Sequence, residues 1–175
     1  MSEPKIVNVV ATADLRQKVD LIQISKLPHT IHDPEIYGGR VAYLKTPNMH
    51  GKVTIFPSGK LISVGSKSRE QAQTDLDFTV ETLISSGLIN PIMVDADVRN
   101  IVAVTNVGRS IDLKNLAESV NGIYEPEQFP GMIIKNLNPK ATYLVFSSGK
   151  VIITGCINEE NLYLSAKKLV EILNS

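Results

Sequence analysis

The second half of the chain repeats the first. Asn8, Val10 and Ala11 recur 92 positions later as Asn100, Val102 and Ala103, and Asp20 and Leu21 recur as Asp112 and Leu113. Pro34, Glu35, Gly39 and Pro47 recur at the same spacing as Pro126, Glu127, Gly131 and Pro139. Phe56, Ser58, Gly59 and Lys60 then recur as Phe146, Ser148, Gly149 and Lys150, now 90 positions on, and Gly65 recurs as Gly155. The first copy therefore holds two extra residues, most simply within 48–52. A collinear series of this kind restricts the fold to two copies of one supersecondary unit. The copies are assigned to residues 1–90 and 91–175, packed together as one structural domain.

Each copy reads as strand, short helix, strands and long helix. Residues 5–13 and 98–105 are rich in Val, Ile and Ala and read as strands. Asp20 and Asp112 are suited to cap short helices over 21–27 and 113–120. Residues 40–45 and 132–137 are short strand candidates. Residues 53–56 with 61–64, and 143–146 with 151–154, flank Gly-Lys turns and read as hairpins. Ser68 with Gln71 forms a capping box for a long helix whose apolar stripe is Ala72, Leu76, Val80 and Leu83, with Gly87 as its stop. Leu162, Ala166, Leu169 and Leu173 make the matching stripe in the second copy.

The hairpins are apolar on both alternating faces. Tyr143, Val145, Val151 and Ile153 suit the underside of a helix, whereas Leu144, Phe146 and Ile152 have nothing left to cover them. Two long and two short helices suffice for one face of a sheet of about ten strands. An antiparallel sheet usually alternates apolar-in with polar-out, so a second apolar face marks a binding surface. The alternative is a two-sheet sandwich that buries both faces.

The composition excludes several function classes. The 175 residues carry 18 basic and 18 acidic side chains, which argues against nucleic-acid binding driven by global charge. A single cysteine, Cys156, rules out an internal disulfide framework. No apolar run approaches the roughly 18 residues of a membrane span, and the first residues lack the apolar core of a secretion signal. No catalytic constellation, metal site or cofactor is expected. His29, His32 and His50 read as loop histidines and Cys156 as a buried thiol. The two Ser-Gly-Lys turns lack the upstream glycine and the following Ser or Thr of a phosphate loop.

Two other pairs carry more information. Each copy has one aromatic before a glycine-containing turn (Tyr37, Phe129) and one at the end of a hairpin strand (Phe56, Phe146). Asn8 and Asn100 lie mid-strand, where Asn is disfavoured. They either hydrogen-bond a neighbouring loop or present paired amides to acceptors on base edges. A duplicated face of this kind suits a ligand that is itself pseudo-twofold, such as a DNA duplex.

Residues 6–12 (Ile-Val-Asn-Val-Val-Ala-Thr), 124–131 (Tyr-Glu-Pro-Glu-Gln-Phe-Pro-Gly) and 145–155 (Val-Phe-Ser-Ser-Gly-Lys-Val-Ile-Ile-Thr-Gly) resemble the TATA-box-binding protein family, archaeal type. The resemblance extends from Lys5 to the C-terminus. It implies an α+β saddle of two pseudo-symmetric repeats: one curved antiparallel sheet with four helices on its convex face and a concave face that binds the DNA minor groove. It also implies a general transcription initiation factor, not an enzyme, that bends A·T-rich promoter DNA and recruits the B-type initiation factor and, indirectly, RNA polymerase. The implied DNA-binding residues are Asn8, Val10, Tyr37, Phe56, Ile62, Asn100, Val102, Phe129, Leu144, Phe146, Ile152 and Thr154, with Lys60 and Lys150 toward phosphates. Lys45, Lys67 and Lys135 are further phosphate candidates. Glu125, Glu127 and Gln128 are the implied contacts to the B-type factor. An archaeal, nucleoid-associated cytoplasmic location follows (nuclear for a eukaryotic source), and a homodimer is an option for the free protein.

The chain departs from the family pattern mainly in its first copy, at Tyr37, Gly38, Tyr43, Thr54, Val64 and the insertion at residues 49–51. The first long helix is also acidic, with Glu70, Asp75, Asp77 and Glu81. These departures suggest a divergent paralogue, and the alternative function is a saddle-fold interaction or regulatory module with weak or altered DNA binding.

Overall fold

The fold is described from a computed structural model, over residues 1–174. In chain order the elements are β1 (Lys5–Asp14), α1 (Leu21–Ile24), β2 (Thr30–Ile31), β3 (Ala42–Leu44), β4 (Lys52–Ile55), β5 (Lys60–Ser66), α2 (Arg69–Ser85), β6 (Asp97–Asn106), α3 (Leu113–Ser119), β7 (Gly122–Ile123), β8 (Met132–Leu137), β9 (Lys140–Val145), β10 (Lys150–Cys156) and α4 (Glu159–Ile172). A single 3-10 turn, Tyr37–Gly39, precedes β3. The ten strands follow the order β2-β3-β4-β5-β1-β6-β10-β9-β8-β7 in one sheet, which excludes the sandwich. The expected elements are all present. The short helices stop early: α1 ends at Ile24 rather than Leu27, and the β5 and β10 strands run on through the glycines to Ser66 and Cys156.

The chain divides into two compact units, Asn8–Val98, and Arg99–Ser175 together with Met1–Val7. In the first unit, β2–β5 form an antiparallel series and β5 also pairs with β1. Alternate residues of β1, β4 and β5 (Val9, Ala11, Ala13; Val53, Ile55; Leu61, Ser63) are buried, and α2 packs over β4 and β5. The α2 stripe Ala72, Leu76, Val80 and Leu83 is buried against this face, as its helical spacing requires. Ser68 caps the helix by accepting from the Gln71 amide at 3.1 Å, while Gln71 Oε1 reaches back to the Lys67 N–H at 2.8 Å. At the other end the Leu88 amide donates to Leu83 at 3.0 Å, and Gly87 takes the left-handed φ of 70° that this closing turn demands.

In the second unit β7–β10 are antiparallel and β10 pairs with β6, and α4 packs over β9 and β10. Leu162, Ala166 and Leu169 on α4 are buried, while Leu173 lies just past its end and is only half-buried. Tyr143 is fully buried, and its hydroxyl donates to the Ser165 carbonyl at 2.8 Å. Desolvation pushes its phenol up to about 12, against a smaller downward pull from the Ser165 side chain. Cys156 is buried with its Sγ 3.7 Å from Ser165 Oγ, and burial raises its thiol.

The corresponding region of the first unit holds a buried carboxylate. Asp75, 1% exposed, accepts from the backbone N–H of His50 (3.0 Å) and of Gly51 (2.7 Å) and from Ser66 Oγ (3.3 Å). Its two backbone donors belong to the connection between β3 and β4. The sequence spacing places the two extra residues of the first copy there, at 48–52, but strand pairing moves them to the β2–β3 connection: Ile31 and Ile123 match at a separation of 92, whereas Tyr43 and Ile133 already match at 90. Asp75 is therefore no part of an acidic helix surface: it reads as surface charge in sequence but serves as the loop's anchor. Lys45 secures the same loop from outside, its Nζ donating to the carbonyls of Met49, His50 and Gly51 at 2.9, 3.3 and 2.8 Å. Removing a carboxylate that satisfies buried donors leaves those donors unpaired. Asp75→Ala is expected to lower unfolding free energy by about 3 kcal/mol, and Glu81→Ala, on the exposed side of α2, by less than about 0.5 kcal/mol. Urea denaturation of both variants measures the difference, and equal midpoints would contradict the anchor role.

Candidate nucleic-acid interface

The sheet residues opposite the helices are half-buried by their neighbours and uncovered. In the first unit these are Asn8, Val10 and Thr12 on β1, Tyr43 on β3, Thr54 on β4, and Ile62 and Val64 on β5. In the second they are Val102 and Val104 with Asn100 on β6, Ile133 on β8, Leu144 on β9, and Ile152 and Thr154 on β10. Strand pairing sets them in rows. One row of the first unit runs Ile31, Tyr43, Thr54, Ile62, Thr12. Its counterpart runs Ile123, Ile133, Leu144, Ile152, Val104 and is wholly aliphatic.

Both asparagines hold a fixed orientation. Asn8 Oδ1 accepts from the Gly65 N–H at 2.8 Å, and Asn100 Oδ1 accepts from the Gly155 N–H at 2.7 Å. These glycines adopt φ of 104° and 89°, which turns their N–H groups toward the amides. A backbone donor requires the carbonyl oxygen of the side chain, so each amide nitrogen is left to face outward with two donors to give. Neither nitrogen has a partner among the described residues. Each side-chain oxygen is thus satisfied by a glycine of the adjacent strand rather than by a loop, and the nitrogen is not used within the sheet. Thr154 Oγ1 lies 3.2 Å from Asn100 Oδ1 and adds a second donor. Val64 replaces it in the first unit, so Asn8 is held by one hydrogen bond.

The aromatic pairs differ more. Phe129 and Phe146 meet edge-to-face, with centroids 5.7 Å apart and planes at 65°. Gly131 makes room for them: a Cβ there would lie 2.8 Å from the Phe129 ring and 3.1 Å from that of Phe146. In the first unit Tyr37 sits in a left-handed conformation (φ 52°), is 71% exposed and makes no ring contact with Phe56. Tyr37 and Phe56 instead line, with Tyr43, Thr54, Ile62 and Val64, an open concavity of about 900 Å³. Lys52 Nζ lies 4.5 Å over the Tyr43 ring. Desolvation, and secondarily the neighbouring Tyr37, raise the Tyr43 hydroxyl.

The charged candidates lie around these faces. Lys60 and Lys150 are exposed at the first residue of β5 and β10, beside hairpin turns in which Gly59 and Gly149 have φ of 92° and 84°. Neither lysine has an ion pair among the described residues. Lys67 and Lys135 are exposed, whereas the Lys45 ammonium is taken up by its three loop carbonyls. Glu125, Glu127 and Gln128 are exposed on a turn closed by the Gln128 and Phe129 amides donating to the Glu125 carbonyl, both at 2.9 Å. His32 Nδ1 lies 2.8 Å from the Val41 carbonyl, a structural contact. No cluster of three metal-ligating side chains occurs among the described residues. Three structural features of this face are not apparent from the sequence: Gly65 and Gly155 as the fixers of the amides, Gly131 as the seat of the ring pair, and Tyr43 as the row neighbour of Thr54. Strand parity could have found the last.

Two units of one design, each presenting an amide donor, two aromatics and small apolar side chains, define a binding scaffold rather than a catalytic pocket. The family model described as transcription factor TFIID (or TATA-binding protein, TBP) matches residues 3–85 and 95–175. The chain is 38% identical over 175 residues to the TATA-box-binding protein of Cenarchaeum symbiosum, covering 99% of this chain and 96% of the relative. It is 38% identical over 179 residues to that of Pyrodictium occultum, covering 98% and 88%. The solved Methanococcus jannaschii TBP superposes with a TM-score of 0.88 at 31% identity, over 99% of each chain. The chain belongs to the TATA-binding protein family, in its archaeal form, and has that family's two-repeat α+β fold. The family is one of transcription factors, in keeping with the non-enzymatic reading of the sequence.

Gly131→Ala is expected to force the Phe129 and Phe146 rings apart, at a cost of about 1–3 kcal/mol. Aromatic NMR shifts of the two rings and a thermal melt report both effects. Unchanged ring shifts would show that the pair does not depend on the missing Cβ.

Proposed function

We propose that this protein is a general transcription initiation factor that binds and bends A·T-rich, TATA-type promoter DNA through the minor groove. The observation that carries this reading is the pair of outward-facing amide nitrogens, Asn8 and Asn100, each set beside valines (Val10, Val102) on an uncovered apolar face. The minor groove of A·T pairs presents only acceptors, adenine N3 and thymine O2. Two donors fixed by backbone hydrogen bonds meet those acceptors without reorganising. Ile62, Leu144 and Ile152 supply flat apolar contact, which a neutral chain needs if counterion release is not to carry the binding.

Phe129 and Phe146 are the wedge of the second repeat, entering a base step and opening it as is characteristic of this family. Phe56 and Tyr37 take that place in the first repeat, the tyrosine with its hydroxyl at the wet edge. Thr154 holds Asn100 in position. Lys60 and Lys150 neutralise phosphates at the flanks. Glu125, Glu127 and Gln128, exposed on their turn, the two glutamates without an ion pair among the described residues, form the contact for a B-type initiation factor, through which RNA polymerase is recruited. Among the described residues no helix is long and apolar enough to cross a membrane, which is consistent with action at the nucleoid in the cytoplasm.

Electrophoretic mobility shift and fluorescence-bending measurements on a TATA-type duplex, with and without the B-type factor, test the proposal. Binding and bending are expected, strengthened by the factor. Phe129→Ala with Phe146→Ala is expected to abolish bending. Lys150→Ala is expected to lower the salt slope of log K by about 1. No complex at low salt in either condition would overturn the reading, and a complex with the B-type factor alone would favour a protein-interaction module instead.

A further inference from the structure

The two repeats differ most in the row of side chains that lies across β3, β4 and β5 in one and β8, β9 and β10 in the other. Tyr43 and Thr54 are cross-strand neighbours in the first, where the second has Ile133 and Leu144. Neither the Tyr43 nor the Thr54 hydroxyl has a hydrogen-bond partner among the described residues. Both border the same open concavity. The second repeat keeps its hydroxyls one row over, at Thr142 and Thr154, which are paired across β9 and β10. The Thr154 hydroxyl lies within hydrogen-bond distance of Asn100 Oδ1, which already accepts from Gly155.

In the minor groove a G·C pair differs from A·T by one group, the exocyclic amine of guanine, a donor. Pressed against an aliphatic row such as Ile133 and Leu144, that amine would be buried with no acceptor, and the pair would be rejected. A hydroxyl oxygen at the same depth accepts its hydrogen. We propose that Tyr43 and Thr54 are specificity-determining residues that let the first repeat accommodate a G·C pair in its half of the DNA site, while the aliphatic row of the second repeat demands A·T. This inference rests on the proposed minor-groove function. It gives the drifted row a positive role, since two hydroxyls at one pair of cross-strand positions would otherwise only weaken an apolar contact.

The test is a scan in which a single G·C pair is moved through every position of an A·T-only duplex, in both orientations. Affinity is measured by fluorescence anisotropy for the full chain and for two variants. Thr54→Val is isosteric and removes one hydroxyl. Tyr43→Ile with Thr54→Leu installs the side chains of the second repeat. The readout is the ratio of G·C to A·T affinity within each protein, so that any general change in affinity cancels. At one or more positions the ratio is expected to be near one for the natural chain and about tenfold lower in the double variant, with Thr54→Val between them. Ratios identical in all three proteins at every position would overturn the inference while leaving the proposed function intact. Failure of the natural chain to bind even the A·T duplex would remove the proposed function and the inference with it.

Discussion

An antiparallel sheet has two faces, and in each repeat one long helix covers only one of them. The rest of the structure depends on that imbalance. On the covered side, α2 and α4 press Leu76, Leu83, Leu162 and Leu169 onto strands whose alternate residues are buried. On the other side the same strands present Val, Ile, Leu and Thr to the exterior, where hydrophobic driving force is left unused until a partner arrives. An apolar surface by itself is unselective. In the proposed function Asn8 and Asn100 supply the selectivity, because a glycine N–H occupies each side-chain carbonyl and leaves each amide nitrogen as a donor.

The repeats reach a common frame by different internal chemistry. Beneath α4, a buried tyrosine, a thiol and a serine fill the space, with the phenol hydrogen-bonded to a helix carbonyl. Beneath α2, Asp75 and Ser66 take part of that space, and Asp75 holds the β3–β4 loop through two backbone donors. The outer faces have drifted in parallel. The second repeat retains an edge-to-face phenylalanine pair and a doubly held amide, and the first has an exposed Tyr37, a singly held amide and two hydroxyls across β3 and β4. Duplication has preserved the scaffold and left the two binding surfaces to differ.

Much of this was legible in the sequence. The 92- and 90-residue spacings gave the two-copy architecture, and alternation in the hairpins separated the covered from the uncovered face before any coordinates, since strand parity is a local property. A capping box located the first long helix and an apolar stripe the second, for the same reason. What stayed hidden depended on contacts between distant segments. Asp75 sits on a helix rich in acids, and only the fold brings residues 50 and 51 to it. Lys45 looks like a phosphate ligand until its loop folds back over it. The division of each asparagine into an inward oxygen and an outward nitrogen requires the bulged glycines more than 50 residues away.

The central claim is that the uncovered face meets the minor groove of A·T-rich DNA. Methylation interference reads this most directly, because dimethyl sulfate modifies adenine at N3 in the minor groove and guanine at N7 in the major groove. Adenine N3 methylation within a TATA-type site is expected to be excluded from the bound fraction, with guanine N7 methylation on the flanks tolerated. Interference by guanine N7 methylation, with adenine N3 methylation indifferent, would contradict the account.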